Sequence, residues 1–211
     1  VQKAERYAAE AYLMIGDGDA ISAEAMLRDL TDKKGVRDGK ILHALSVANL
    51  ELGKYKEAQA AAEAGMKLNV ALVRLPIAHG DSLLAQANYG SARTSYKRAI
   101  QMNGNHLHAR AASLLSQAVS GDGAPALLHK EAEKLRSEAL TQTGDTPPPR
   151  TVAFIEYAEG ERSRSFDILA SSGAAPASAS AGPAVLQKSA GWLMRALGAS
   201  FVRVRNASPV T

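Results

Sequence analysis

The residues able to do chemistry are few and dispersed. Five histidines, His43, His79, His106, His108 and His129, are the candidates for metal binding or acid–base work. A zinc site needs three or four converging ligands. His106 and His108 are two apart and so fall on different faces of a helix; the set reads as surface and packing histidines. Gly16-Asp17-Gly18-Asp19 begins like a calcium loop but lacks the later oxygen ligands and the closing glutamate. It reads as a turn between two helices. Glu131 and Glu133 read as surface charges of a helix rather than an acid–base pair. No phosphate-cradling glycine loop and no nucleophile-elbow pattern is present, although composition alone does not exclude a Ser–His–Asp set. The chain has no cysteine, which removes disulfides, thiolate zinc sites and cysteine nucleophiles. Asn206-Ala207-Ser208 matches the three-residue glycosylation acceptor, a weak pattern. The expectation is a non-enzymatic protein with no metal and no cofactor.

The elements that would position any binding residues are helices. The chain has 211 residues, 46% of them hydrophobic, 22% charged and only 5% aromatic. Alanine is abundant and β-branched residues are scarce, which favours helix and argues against a β-sandwich. The length suits one domain, or one plus an appendage. No apolar run approaches the roughly 18 residues of a membrane-spanning helix. The chain opens on Val1 rather than methionine, as expected of a fragment or a processed product; periplasm, cell envelope and cytoplasm all stay open as its location. Of 25 basic and 21 acidic residues, four basic ones (Lys188, Arg195, Arg203 and Arg205) lie beyond Ala184 with no acidic residue among them, so the body is neutral. A neutral body without aromatics interleaved along a basic stripe disfavours nucleic acid as a partner.

An internal period organises the body. Tyr55 and Ala58 recur 34 residues later as Tyr89 and Ala92, and Ala62 and Gly65 have Tyr96 and Ala99 at the same offset. Gly53 ends the helical pattern before Tyr55. Upstream, Gly18, Ala23 and Leu27 sit 35 residues before Gly53, Ala58 and Ala62; downstream, Gly121 and Ala126 sit 34 after Ala87 and Ala92. Helices are expected over Lys3–Ile15, His106–Val119 and Ala124–Leu140, then over a shorter pair, Val152–Glu159 and Arg162–Ser171, after the interruption at Thr146–Arg150. Paired helices repeating every 34 residues resemble the tetratricopeptide repeat family, in its bacterial form. The early aromatic usual in that family is replaced by Leu42 and Pro76, and the closing proline by Val70 and Gly104.

The resemblance implies an all-α, right-handed solenoid of antiparallel helix pairs over residues 1–172, with the best repeats at 39–72 and 73–106. It implies a protein or peptide partner lying along the face built from the first helix of each pair. The positions that line it are Tyr12 in one flanking unit, Lys40, His43, Val47 and Leu50 in the first good repeat, Arg74, Ile77, Asp81 and Leu84 in the next, and His108 and Leu115 beyond. The lysine, asparagine and arginine with which some chaperone-linked relatives clamp a terminal carboxylate are absent: Ala8 and Tyr12, or His43 and Val47, stand there. Bacterial members often serve envelope, pilus, secretion or polysaccharide machines, so the resemblance points to a scaffold of a larger assembly. The alternatives are the interaction region of a larger enzyme and a self-assembling scaffold.

Ser171–Pro183 is rich in serine, proline, glycine and alanine, and 173–183 reads as a flexible linker. Residues 184–211 then read as an amphipathic helix and basic tail, with Leu186, Leu193, Leu197 and Phe201 on one face and Trp192 on its shoulder. That helix has four uses open to it: a cap on the last repeat, a contact for a partner, a fold back into its own repeat groove, or a peripheral contact with an anionic membrane.

Overall fold

The computed structural model describes residues 2–69, 71–143, 149–161, 164, 165, 167 and 168. Among these residues there are nine helices and no strand: α1 (Gln2–Gly16), α2 (Ala20–Arg28), α3 (Gly39–Glu51), α4 (Tyr55–Leu68), α5 (Arg74–Ala85), α6 (Tyr89–Met102), α7 (Leu107–Ser120), α8 (Pro125–Thr143) and α9 (Pro149–Glu159). A short π-helical segment, Asp29–Lys33, extends α2. No described helix is long and apolar enough to cross a membrane. The linker at 173–183 and the helix expected at 184–211 lie outside the described residues.

Each helix packs on the next in sequence from α1 to α8, and α9 packs on both α7 and α8. The first helices of successive pairs also meet: α3 touches α1 and α5. The apolar core runs the length of this stack. One stretch is built from α1, α2 and α3 around Leu27, Ile41 and Leu45; the other extends from Leu50 through Leu84, Tyr96 and Leu115 to Phe154.

Backbone geometry at the turns explains the period. Gly18, Gly53, Ala87 and Gly121 all have positive φ, at 90°, 75°, 59° and 75°, and each reverses the chain between the two helices of a pair. Glycine enters that region freely, whereas a Cβ costs roughly 1–2 kcal/mol there. Ala87 is the one non-glycine among the described residues to do so. Ala87→Gly is therefore expected to stabilise the chain. The relief of strain exceeds the added entropy of the unfolded glycine, about 0.4–1 kcal/mol, and leaves a net gain of about 0.5–1 kcal/mol. Thermal melting should rise by roughly 2–4 °C per kcal/mol for a domain of this size.

Behind each turn the small residues are where the repeat requires them. Ala58, Ala62, Ala92 and Ala99 are fully buried. Gly65 has no room to grow, because a methyl there would lie 2.5 Å from Leu75. The fourth pair departs from expectation. Ala126 is exposed, and Leu128, Ala132, Leu135 and Ala139 face the core. The physical reason is the turn: α8 begins four residues after Gly121, whereas α4 and α6 begin two after Gly53 and Ala87. Two added residues shift the helix by more than half a turn, and Leu128 takes the position the period assigns to Ala126. The terminal pair is present in its first half. Phe154, Ile155 and Tyr157 are buried, Gly160 turns the chain at φ 99°, and the buried Ser165 Oγ donates to the Ala153 carbonyl at 2.7 Å. Phe166 and Leu169, expected to complete that pair, lie outside the described residues.

Candidate peptide-binding face

The first helices of the pairs, α1, α3, α5 and α7, bring together a line of polar and aromatic side chains. The Tyr12 hydroxyl and His43 Nδ1 are hydrogen-bonded between α1 and α3, with their rings edge to face at 5.8 Å. Lys40 Nζ reaches back to Glu5 Oε1 at 2.6 Å. Arg74 opens α5 and is exposed; its charge is felt at Tyr12, His43 and His106. No described side chain hydrogen-bonds or ion-pairs with it. On α7, His108 lies 3.9 Å from Asp81 Oδ1 and stacks at a tilt on Phe154, with centroids 5.3 Å apart.

Burial sorts the expected positions. Tyr12, Lys40, His43, Val47 and His108 are partly buried and Arg74 is exposed, so each offers surface. Leu50, Ile77, Leu84 and Leu115 do not: they are closed inside the core and hold the pairs together. They sit one step round the helix from the open face, and the stacking of the next pair covers them. Asp81 is also buried, committed to the Tyr96 hydroxyl at 2.7 Å. Trp192 and the other expected contacts of the tail helix lie outside the described residues.

Electrostatics follow burial. His43 is pushed down to about 4, first by removal from water and then by the Arg74 guanidinium, against a weak opposing pull from Asp81. Burial drives Tyr12 the other way, to about 12, with Arg74 opposing. His106 is lowered by burial, then by His108 and Arg74. At neutral pH the uncharged Tyr12 and His43 rings therefore lie within the influence of Arg74, a cation with no partner among the described residues. Because the folded value of His43 lies below its unfolded value near 6.5, the unfolded chain binds more protons between those two values. Stability is lost as pH falls through that window. The expected loss from this residue between pH 7 and pH 4.5 is on the order of 2 kcal/mol. Denaturant melts of the wild type and His43→Gln at both pH values measure it, and the variant should lose less.

A second constellation escaped the sequence. His79 Nδ1 and Ser95 Oγ are 2.8 Å apart, and His79 Nε2 lies 3.1 Å from Glu63 Oε1, a Ser–His–Glu line across α6, α5 and α4. Gln59 extends it, donating to Glu63 at 2.8 Å and accepting from Gln86 at 3.0 Å. The 34-residue offset gives a signal in retrospect, since His79 and Ser95 stand where the preceding repeat has Leu45 and Ala61. Two features argue against nucleophilic use. The Ser95 hydroxyl is buried and donates back to the Ser91 carbonyl at 3.1 Å. Its surroundings are mid-helix, where the backbone N–H groups are spent on the helix and none is free to hold an oxyanion. The line instead ties three helices together. Among the described residues no group of three or more metal-capable side chains is gathered.

No family model and no curated protein sequence matches the chain. Solved structures do. A tetratricopeptide repeat protein of Thermus thermophilus, TTC0263, superposes with a TM-score of 0.61 at 14% identity, covering 94% of this chain and 99% of that one. The fold is the tetratricopeptide-repeat solenoid. A tetratricopeptide repeat protein from Parabacteroides merdae gives a TM-score of 0.53 at 17% identity over 100% of this chain and 82% of that one. MamA of MSR-1 gives 0.50 at 14% identity over 80% and 95%. In tetratricopeptide terms α1, α3, α5, α7 and α9 are the A helices, α2, α4, α6 and α8 the B helices, and the line from Tyr12 to His108 runs across the A face.

Proposed function

We propose that this protein is a non-enzymatic scaffold that holds a peptide or helix of a partner protein along the A-helix face, in support of a larger assembly. One observation carries the reading: Tyr12, His43, Val47, Arg74 and His108, drawn from four different helices, all remain accessible on one face of the stack. A stack whose helices already satisfy one another gains little stability from such a row. Tyrosine and arginine, moreover, are the side chains most often found as interface anchors. The apolar contacts at Tyr12 and Val47 supply affinity, and the charge at Arg74 sets orientation.

The test is selection of random peptides, displayed with both ends fused, on the immobilised full chain. Peptides that bind the A face should be enriched, and Val47→Glu, which places a charge in the middle of that face, should weaken them at least tenfold. Failure to enrich any peptide, or enrichment indifferent to Val47→Glu, would overturn the reading.

A further inference from the structure

The A face carries a diagonal row that steps 31 residues at a time: Tyr12 to His43, and His43 to Arg74, with His106 close to the next step. A step of 31 is one repeat less about one helical turn, which sets each position beside the one a turn back on the neighbouring A helix. The Tyr12–His43 hydrogen bond is that contact made visible. At the centre stands Arg74, exposed and without a partner among the described residues. The neighbouring cations are satisfied: Lys40 is paired with Glu5, and Arg110 with Glu138 on α8.

We propose, building on the scaffold reading above, that this row seats a single aspartate or glutamate side chain of the partner peptide. Its carboxylate pairs with Arg74 and accepts a hydrogen bond from the His43 imidazole. Both donors are available. A phenolic O–H is a more acidic donor than a neutral imidazole N–H, so Tyr12 donates to His43 Nδ1 and the ring proton sits on Nε2. Nε2 makes no hydrogen bond to a described residue. A guanidinium offers a planar pair of N–H donors matched to a carboxylate.

The surrounding charges fit one negative charge rather than several. Around the row are Glu5 and Lys40, already paired; Asp81, buried and bonded to Tyr96; His106, which caps α7; and His108 within α7. Asp81 would repel a dianionic phosphate more strongly than a carboxylate, and the body as a whole is neutral.

A consequence follows for pH. Burial and Arg74 keep His43 neutral in the free protein. A carboxylate seated there cancels the effect of Arg74 and adds an attractive charge, so binding takes up a proton. Linkage then requires affinity to rise as pH falls, by about tenfold between pH 7.5 and pH 5.

The peptides selected above provide the probe. The expected result is an acidic residue at one fixed position, a loss of affinity of at least tenfold on changing it to its amide, and the same loss with Arg74→Gln on the protein. Arg74→Lys should keep part of the affinity. Calorimetry in buffers of different ionisation enthalpy should show proton uptake at pH 5.5 that disappears in His43→Gln. Because Arg74 is exposed and unpaired, its variants keep the fold, which circular dichroism verifies. Enrichment of peptides with no fixed acidic position, or binding unaffected by Arg74→Gln, overturns this inference while leaving the scaffold reading standing. Affinity that does not rise toward pH 5 removes His43 from the site. Absence of any enriched peptide removes the scaffold reading itself.

Discussion

Replacing Arg136 with methionine is expected to cost about 3 kcal/mol and to loosen α9 from α8. Glu156 on α9 is only 1% exposed, and its carboxylate lies 3.0 Å from Arg136 Nη2. The same guanidinium also holds Glu159, whose carboxyl is pushed up by burial and drawn down by Arg136. Methionine keeps the packing stem but removes the charge. The residual partner, Arg164 Nε at 3.5 Å, is two-thirds exposed and compensates weakly. A buried carboxylate stripped of its partner costs about 3–5 kcal/mol, and the partial exposure of Arg136 places the effect at the lower end. The melting temperature should fall by roughly 6–12 °C. Stacked repeats open locally, so amide exchange should rise in α9 well before it rises in α3. Adding Glu156→Gln to Arg136→Met should recover part of the loss, since the amide removes the more deeply buried of the two carboxylates that Arg136 holds. Equal exchange throughout, or no recovery, would mean that the pair does not hold the terminal helices together.

Tyr96→Ala should be the most damaging single change in the middle of the stack, at about 3–5 kcal/mol for the cavity left by a buried ring. The ring packs against Gly80: a methyl at that glycine would lie 2.5 Å from it. The hydroxyl donates to the buried Asp81 at 2.7 Å. Two milder variants separate these contributions. Tyr96→Phe keeps the packing and removes one hydrogen bond to a buried carboxylate, for about 1–3 kcal/mol. Gly80→Ala keeps the hydrogen-bonding groups and overpacks the contact, at about 1–3 kcal/mol, against a gain of about 1 kcal/mol in helix propensity. Urea titrations of the three variants rank them. If Tyr96→Phe proved as costly as Tyr96→Ala, the hydrogen bond rather than the ring would dominate.

The contrast between these two sites shows what is legible in a repeat. Ala58, Ala92 and the glycines at 18, 53 and 121 could be placed from spacing alone, because backbone reversal and close helix approach leave few residue types able to serve. The Tyr96–Gly80 contact could not. In the preceding repeat the same offsets hold Ala62 and Ser46, so the large ring on α6 came together with the loss of the side chain facing it on α5. A fixed period carries each position separately and does not show such an exchange. It also misassigned Leu50, Ile77, Leu84 and Leu115 to the open face, since an apolar residue on an A helix has the same one-dimensional signature whether it floors a groove or seals a core.

The sequence by itself determined the helical class, the pairing of helices and the position of most turns. These follow from local propensity and a fixed period, which act within one or two turns of chain. Tertiary structure decided which side chains of each helix stay open. It set the register of α8 behind its longer turn. It joined Tyr12, His43 and Arg74 into one row, and Ser95, His79 and Glu63 into another. Those outcomes depend on the stagger between neighbouring helices, a quantity fixed by how ridges and small residues interlock across the stack, and no single helix carries it.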